Sequence, residues 1–586
     1  MFGPILGRET VTAARSGRLH VARGVYVGML VVLASTAWQM LTGTQIVRGV
    51  GDVARFGSAV FQVLAPVQLV LVSFGAAVWS VLAVAHEKDR RTLLLLLTTR
   101  LGGGQMMAGK WLASAAIVLS IWLAALPFLM LCTLLGGVGY EQLARTQVVT
   151  VASILCSAAL GTLLAYWREK TFQSLALAVV MLIAWTVAWE LLARTEHSLG
   201  ALTLDEWAAL ASPWHALDHA ANPLVNATHA EDDLSVAGFC LVSAALSAAM
   251  VAAGGMRLRA WNTTSEVRQP GEGSAAATQS STAAAAELGA RRERAMWDNP
   301  ILWREIRTWA QGRRTLLLRV LYVALFALSA WGVVQLNAAP GNPSRLEFAV
   351  PLAPVMILSL LLINAQAVTS ITSERDSQAL DLLLVSDLTS KEFVFGKLAG
   401  ALWNAKEMVV LPTALVVYLH VAGPLDAEST VLLTAGWLVV CAFSAVLGFH
   451  CGLSYTRSRS AIGVSLGTIL FLAIGIATTM RILTAFSGSF AFQLQPFLAT
   501  IVGGGVGLYA VLGARNPSPA TFAAALFCPV ATFYALTSFL LGHTLAVFLA
   551  VASAYGFTVA AMLVPAVYEF DAITGRAGQG HDETAA

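Results

Sequence analysis

The chain has 586 residues, 57% of them hydrophobic and 12% charged, with a mean hydropathy of +0.72. That is about half the charge of an ordinary soluble domain, so the composition argues against a soluble globular protein and for the membrane class. A net charge of +3 without a basic face leaves a nucleic-acid partner unsupported. The cysteines Cys132, Cys156, Cys240, Cys441, Cys451 and Cys528 all sit in apolar runs with no C-x-x-C pair, which speaks against a disulfide framework or a zinc centre.

A membrane-spanning helix needs about 20 mostly apolar residues. Runs of that kind fall at 24–46, 59–85, 106–137, 143–167, 172–194 and 235–256, then at 315–337, 348–372, 394–422, 430–455, 461–483 and 537–567. They predict an all-α polytopic membrane protein of about twelve spans in two sets of six. Within the remaining stretch 486–536, residues 494–513 are apolar and glycine-rich. They fit a further span, a re-entrant segment or an external amphipathic element.

Residues 257–297 are an Ala/Ser/Thr/Gly-rich tract without apolar periodicity and read as a linker. The expected organisation is a first half at 1–256, the linker at 257–297, a second half at 298–570 and a polar tail at 571–586.

The halves repeat each other. Gly3-Pro-Ile-Leu-Gly-Arg8-Glu9 returns as Asn299-Pro-Ile-Leu-Trp-Arg304-Glu305. The small residues Ala34-Ser-Thr-Ala37 after the first run resemble a signal cleavage site. The second copy of that run lies mid-chain, so both copies read as uncleaved spans. Arg8, Arg15, Arg18 and Arg23 precede the first span, whereas 195–234 holds seven acids and no Lys or Arg. The positive-inside rule then puts the N-terminus, linker and C-terminus in the cytoplasm.

A second repeat follows the second span of each half. Glu87-Lys88-Asp89 precedes Thr92 and a leucine run, and Gly109-Lys110 begins the next span. Glu374-Arg375-Asp376 precedes Leu382-Leu383-Leu384, and Gly396-Lys397 follows. The leucine runs are too short to cross a bilayer and predict short cytoplasmic helices with their charges free for a soluble partner. No partner for those charges is evident within the chain.

Gly104 to Lys110 also spells G-x-x-x-x-G-K, a P-loop up to its last position, where Trp111 replaces the Mg²⁺-binding hydroxyl. Gly104 falls opposite Lys391, so only the Gly-Lys pair repeats. Gly109 and Gly396 then read as close-packing residues, and Lys110 and Lys397 as cations at the membrane edge.

The acidic-basic-acidic cluster, leucine run and Gly-Lys pair resemble the coupling-helix signature of ABC-2 type exporter permeases. The N-P-I-L-x-R-E opening resembles their interfacial elbow helix, and a third match aligns 161–174 with 448–461, including Lys170 and Arg457/Arg459. The resemblance implies a permease that binds no cofactor itself and works in a cell (inner) membrane. Two ATP-binding subunits would hold ATP and Mg²⁺, and the substrate path would lie between the halves. It implies partner-coupling roles for Glu87, Lys88, Asp89, Thr92, Glu374, Arg375 and Asp376, and elbow roles for Arg8, Glu9, Arg304 and Glu305. The sequence does not identify the substrate.

Two other readings compete. A secondary carrier of six plus six spans would use ionisable residues inside the membrane, for which Glu190 and Lys406-Glu407 are the candidates. A membrane-embedded enzyme would use His215 and His219, spaced to face one external metal. His86 and His450 read as membrane-edge or packing residues.

Overall fold

The computed structural model describes residues 4–44, 49–90, 92–168, 171–193, 198–199, 202–221, 229–262, 299–307, 316–338, 345–380, 383, 388–485, 494–513, 517–568 and 570. These residues are almost entirely helical. In the first half, α1 (Pro4–Ala14) leads into α2 (Gly17–Thr44), α3 (Val50–Asp89), the short α4 (Thr92–Leu97), α5 (Gly103–Leu134), α6 (Tyr140–Trp167) and α7 (Thr171–Ala193). A two-residue antiparallel pairing, Ser198–Leu199 with Leu202–Thr203, is followed by α8 (Leu204–Ala211), α9 (Pro213–Ala221) and α10 (His229–Asn262).

The second half runs through α11 (Pro300–Arg307), α12 (Leu316–Ala338), α13 (Arg345–Asp376), α14 (Ser390–Asn404), α15 (Lys406–Val421), α16 (Ala427–Ser454) and α17 (Ser458–Ala485). It ends with α18 (Leu494–Leu512), α19 (Pro519–Leu540) and α20 (Thr544–Tyr568).

Local sequence explains where these helices begin. Thr389 and Glu392 form a capping box ahead of α14, the Asp426 carboxylate accepts from Ser429 N at 3.1 Å, and Ser518 caps α19 just before Pro519. The α3 helix, at 40 residues, extends about 60 Å. That is roughly twice the hydrocarbon core of a bilayer, so part of it stands outside the apolar layer.

Among the described residues thirteen helices are long and apolar enough to cross a membrane, and α14 with α15, bent by 57°, pass the same test as a pair and form a broken span or a re-entrant loop. The all-α polytopic architecture expected from about twelve apolar runs is present, with slightly more candidate spans. Segment 486–536 holds α18, at the stretch 494–513 for which a further span is one of three readings, and most of α19. Glycines at 503–505 and 507 dilute the apolar run of α18, and Ser, Thr, Tyr and Pro529 dilute α19. At the linker, α10 continues to Asn262, past the expected boundary at 257. The rest of 257–297, the tail and Lys170 lie outside the described residues.

The spans pack alike in both halves. The second span lies along the fourth, α3 on α6 and α13 on α16, and the fourth against the last, α6 on α10 and α16 on α20. The α18–α19 pair is inserted between the fifth and last spans, where the first half has only α8 and α9. Close crossings of the second and fourth spans need glycine. A Cβ on Gly161 would meet the Ala77 carbonyl at 2.5 Å, and one on Gly448 the Asn364 carbonyl at 2.6 Å. Across the molecule the fifth span of each half meets the second span of the other, α7 on α13 and α17 on α3. Val179, Val180, Leu358, Leu361, Leu362 and Leu466 close this seam, leaving a void of about 10 Å³.

Candidate functional site

The repeated charged motifs converge. In the first half the Lys110 ammonium reaches Glu87 at 2.7 Å and Glu9 at 3.0 Å, while Arg8 pairs with Glu9 at 2.9 Å and Glu87 at 3.4 Å. The second half repeats the arrangement: Lys397 reaches Glu374 at 2.5 Å and Glu305 at 2.6 Å, and Arg304 pairs with both acids. Each cluster ties the elbow helix to the end of the second span and the start of the third.

Burial makes these ties strong determinants of geometry. The Lys110 and Glu87 side chains retain only 3% and 5% of their exposure. An unpaired charge there would carry a large desolvation penalty, so position is set by the partner. Burial raises the Glu9 carboxyl, yet the Arg8 guanidinium and the Lys110 ammonium outweigh it and hold Glu9 below its ordinary value. The glycine of each Gly-Lys pair lets the elbow approach: a Cβ on Gly109 would meet Ile5 at 3.1 Å, and one on Gly396 would meet Ile301 at 3.1 Å and Asn299 at 2.8 Å.

The lysines are therefore not free cations at the membrane edge, and Glu87 and Glu374 do have partners within the chain. The signal was present in the sequence as two acids and one lysine kept in both copies. Only folding shows that residues about 80 to 100 positions apart meet.

The middle cation of each triplet has another task. Lys88 donates to the carbonyls of Tyr166 at 3.3 Å and Arg168 at 2.8 Å, and Arg375 donates to those of Gly452 at 2.8 Å and Tyr455 at 2.5 Å. Both cap the C-terminal end of the fourth span, where helix carbonyls lack intrahelical donors. Only the third residue, Asp89 or Asp376, is exposed. These two aspartates, from opposite halves, lie close enough for the charge of one to act on the other. Ser458 donates to Asp376 at 2.5 Å, and Arg459 donates to His86 Nδ1 across the halves. Sequence reading of His86 as a packing residue did not find that cross-half contact.

Thr92 opens α4, its hydroxyl donating to the Glu87 carbonyl at 3.2 Å. Within α4, Leu93 is buried and Leu95 is 67% exposed. Most of the corresponding segment of the second half, including Leu382 and Leu384, lies outside the described residues.

The P-loop-like run is helical within α5, with no strand before it. Lys110 is engaged by carboxylates, and the Trp111 indole donates to the Leu155 carbonyl at 2.9 Å. Gly103 packs against Gly255 of α10. These glycines serve a helix crossing.

The residues behind the rival readings are engaged locally. Glu407 pairs with Arg319 at 3.6 Å, and the Lys406 ammonium sits 4.6 Å from the Trp403 ring, both at the α14–α15 break. Glu190 lies near the end of α7 and pairs with His215 at 3.1 Å. Burial lowers the His215 imidazole, but Glu190 first, then Asp205 and Asp218, raise it above its ordinary value. Among the described residues no three His, Cys, Asp or Glu side chains are grouped to hold a metal ion.

A family model described as ABC-2 family transporter protein matches residues 12–256. The similarity covers the first half of the chain. The match runs from α1 through most of α10 and includes Glu87 and Lys110, but not Arg8 and Glu9. No curated protein and no solved structure matches the chain. With its many apolar helices the chain is a multi-pass membrane protein whose first half is similar to ABC-2 family transporter proteins.

Proposed function

We propose that both halves act as ABC-2 units and form the membrane subunit of an exporter driven by two separate ATP-binding subunits, which hold the ATP and Mg²⁺. The observation that carries this reading is the matched pair of charge clusters, each joining an elbow helix, a second span and a third span. Such a junction turns displacement of the cytoplasmic segment into movement of three helices together.

Docking falls to the exposed residues around each cluster. In the first half these are Asp89, Arg90 and Leu95, and in the second Asp376 and Ser377. Glu87, Lys88, Glu374 and Arg375 act behind them as positioning residues. Closure of the ATP-bound pair would press on these segments and part the apolar seam between α7 and α13. If the α14–α15 pair crosses as one broken span, fourteen spans result, and an even number keeps both termini on one side. The Lys/Arg distribution favours the cytoplasmic side of the cell membrane for that side.

The test is co-purification and ATPase stimulation with the cognate ATP-binding protein. Asp89→Lys, Leu95→Glu and Asp376→Lys together should abolish partner-stimulated ATPase while leaving the melting temperature of the isolated chain unchanged. Wild-type stimulation in the triple variant would remove the docking assignment.

A further inference from the structure

Near the ends of α12, α13, α15, α16 and α20 the second half encloses a cavity of about 670 Å³. That volume is within the roughly 300–1,000 Å³ usual for a bound small molecule. The walls are apolar: Leu352 and Met356 of α13, Leu433 and Trp437 of α16, and Phe548 and Val551 of α20. Helix α16 packs against both α13 and α20 and forms the back of the space. Polar groups occur near the helix ends, at Asn337 and Thr544.

The corresponding part of the first half is built differently. There the turn between α5 and α6 uses Gly136 and Gly137, at φ 88° and 77°, to fold onto Ala54 of α3. Behind it Gln68 donates to Gln147 at 2.9 Å, and Trp122 donates to the same oxygen at 2.8 Å. At the equivalent positions the second half has Val355 and Thr434 in place of the glutamines. Its turn glycine, Gly423, has φ 103° and nothing within 4 Å of where a Cβ would stand. The turn that folds onto α3 in the first half leaves open space beside its glycine in the second.

The walls offer water few hydrogen-bond partners, and the surroundings are bilayer. Val350, Leu545 and Leu549, on helices that line it, are 45%, 52% and 56% exposed, so these helices present an apolar outer face to the bilayer beside the cavity. We propose that it binds one acyl chain of a membrane phospholipid, which enters sideways with its headgroup at the level of Asn337 and Thr544. The orientation proposed above makes this a lipid of the external leaflet. Binding itself rests only on the membrane placement.

The test uses the purified full chain in phospholipid nanodiscs without ATP-binding subunits, so that its failure is separate from any failure of coupling. The probe is a phosphatidylcholine with a photoreactive diazirine in its acyl chain, and mass spectrometry reads the labelled peptides. Wild type should be labelled at Met356, Trp437 and Phe548. Gly436→Leu, whose new side chain projects toward Phe548, a ring that a Cβ there would meet at 3.9 Å, should lower this labelling about tenfold, equivalent to about 1.4 kcal/mol of binding. Ala353→Phe on the opposite wall provides a second filling variant, and Leu131→Trp on the exposed face of α5 should leave cavity labelling unchanged. Undiminished labelling in the filled variants would overturn the proposal. So would rapid modification of Leu433→Cys, in the otherwise native chain, by a water-soluble thiol reagent, because it would show the cavity to be wet.

Discussion

The Lys110 ammonium lies 2.7 Å from the Glu87 carboxylate, with both side chains almost wholly buried. Removing one partner of such a pair strands the other charge, at a cost of about 3–5 kcal/mol. Lys110→Met and Glu87→Gln should each destabilise the chain by that order, and the double variant by less than the sum. Thermal unfolding of the single and double variants in detergent gives the coupling energy directly. Additive effects would mean the pair does not act as a unit. Charge reversal at Glu87 is accordingly not a clean probe of partner docking, because it would also disrupt this junction.

The crossing of α3 and α6 provides a second test. Gly161→Ala places a methyl against the Ala77 carbonyl, and Gly448→Ala does the same at Asn364 in the other half. Forcing extra volume into a packed crossing costs about 1–3 kcal/mol. Both variants should therefore melt earlier, whereas Gly28→Ala, where nothing lies within 4 Å, should not.

The Glu190–His215 pair makes the position of α9 depend on pH. Since the His215 pKa is raised above its ordinary value of 6.5, the pairing contributes fully below that value and is lost as pH rises through the higher folded value. Asp205 of α8 and Asp218 of α9 act on the same imidazole, and Arg481 of α17 lines the same small cavity. Hydrogen exchange in α9, corrected for intrinsic rate, should be slower on the acid side. Glu190→Gln should remove most of that difference, and a pH response unchanged in Glu190→Gln would show that the pair is not its source.

Topology can be checked with cysteines introduced at Ser280 and Asp205 in a background lacking the native ones. An impermeant thiol reagent applied to intact cells should modify the Asp205→Cys variant and spare the Ser280→Cys variant. Modification of both would overturn the proposed orientation.

Several conclusions were legible in the sequence because they depend on properties local to the chain. Apolar runs of spanning length predict helices wherever they occur, and the P-I-L-x-R-E and Glu/Gly-Lys motifs recur in both parts of the sequence. Glycine diluted the signal of α18, which left a span as one of three readings of 494–513, and α19 did not stand out as a span of its own. The partners of Glu87 and Glu374 could not be read at all, because an ion pair depends on which helices lie side by side. Folding brought Glu9, Glu87 and Lys110 to one point and left only Asp89 of its triplet exposed. It also laid the Gly136–Gly137 turn onto α3 and joined Gln68 to Gln147, whereas Gly423 of the second half has open space beside it. Periodicity and composition are sums along the chain, whereas burial and pairing belong to neighbours in space, and only the packed helices determine those.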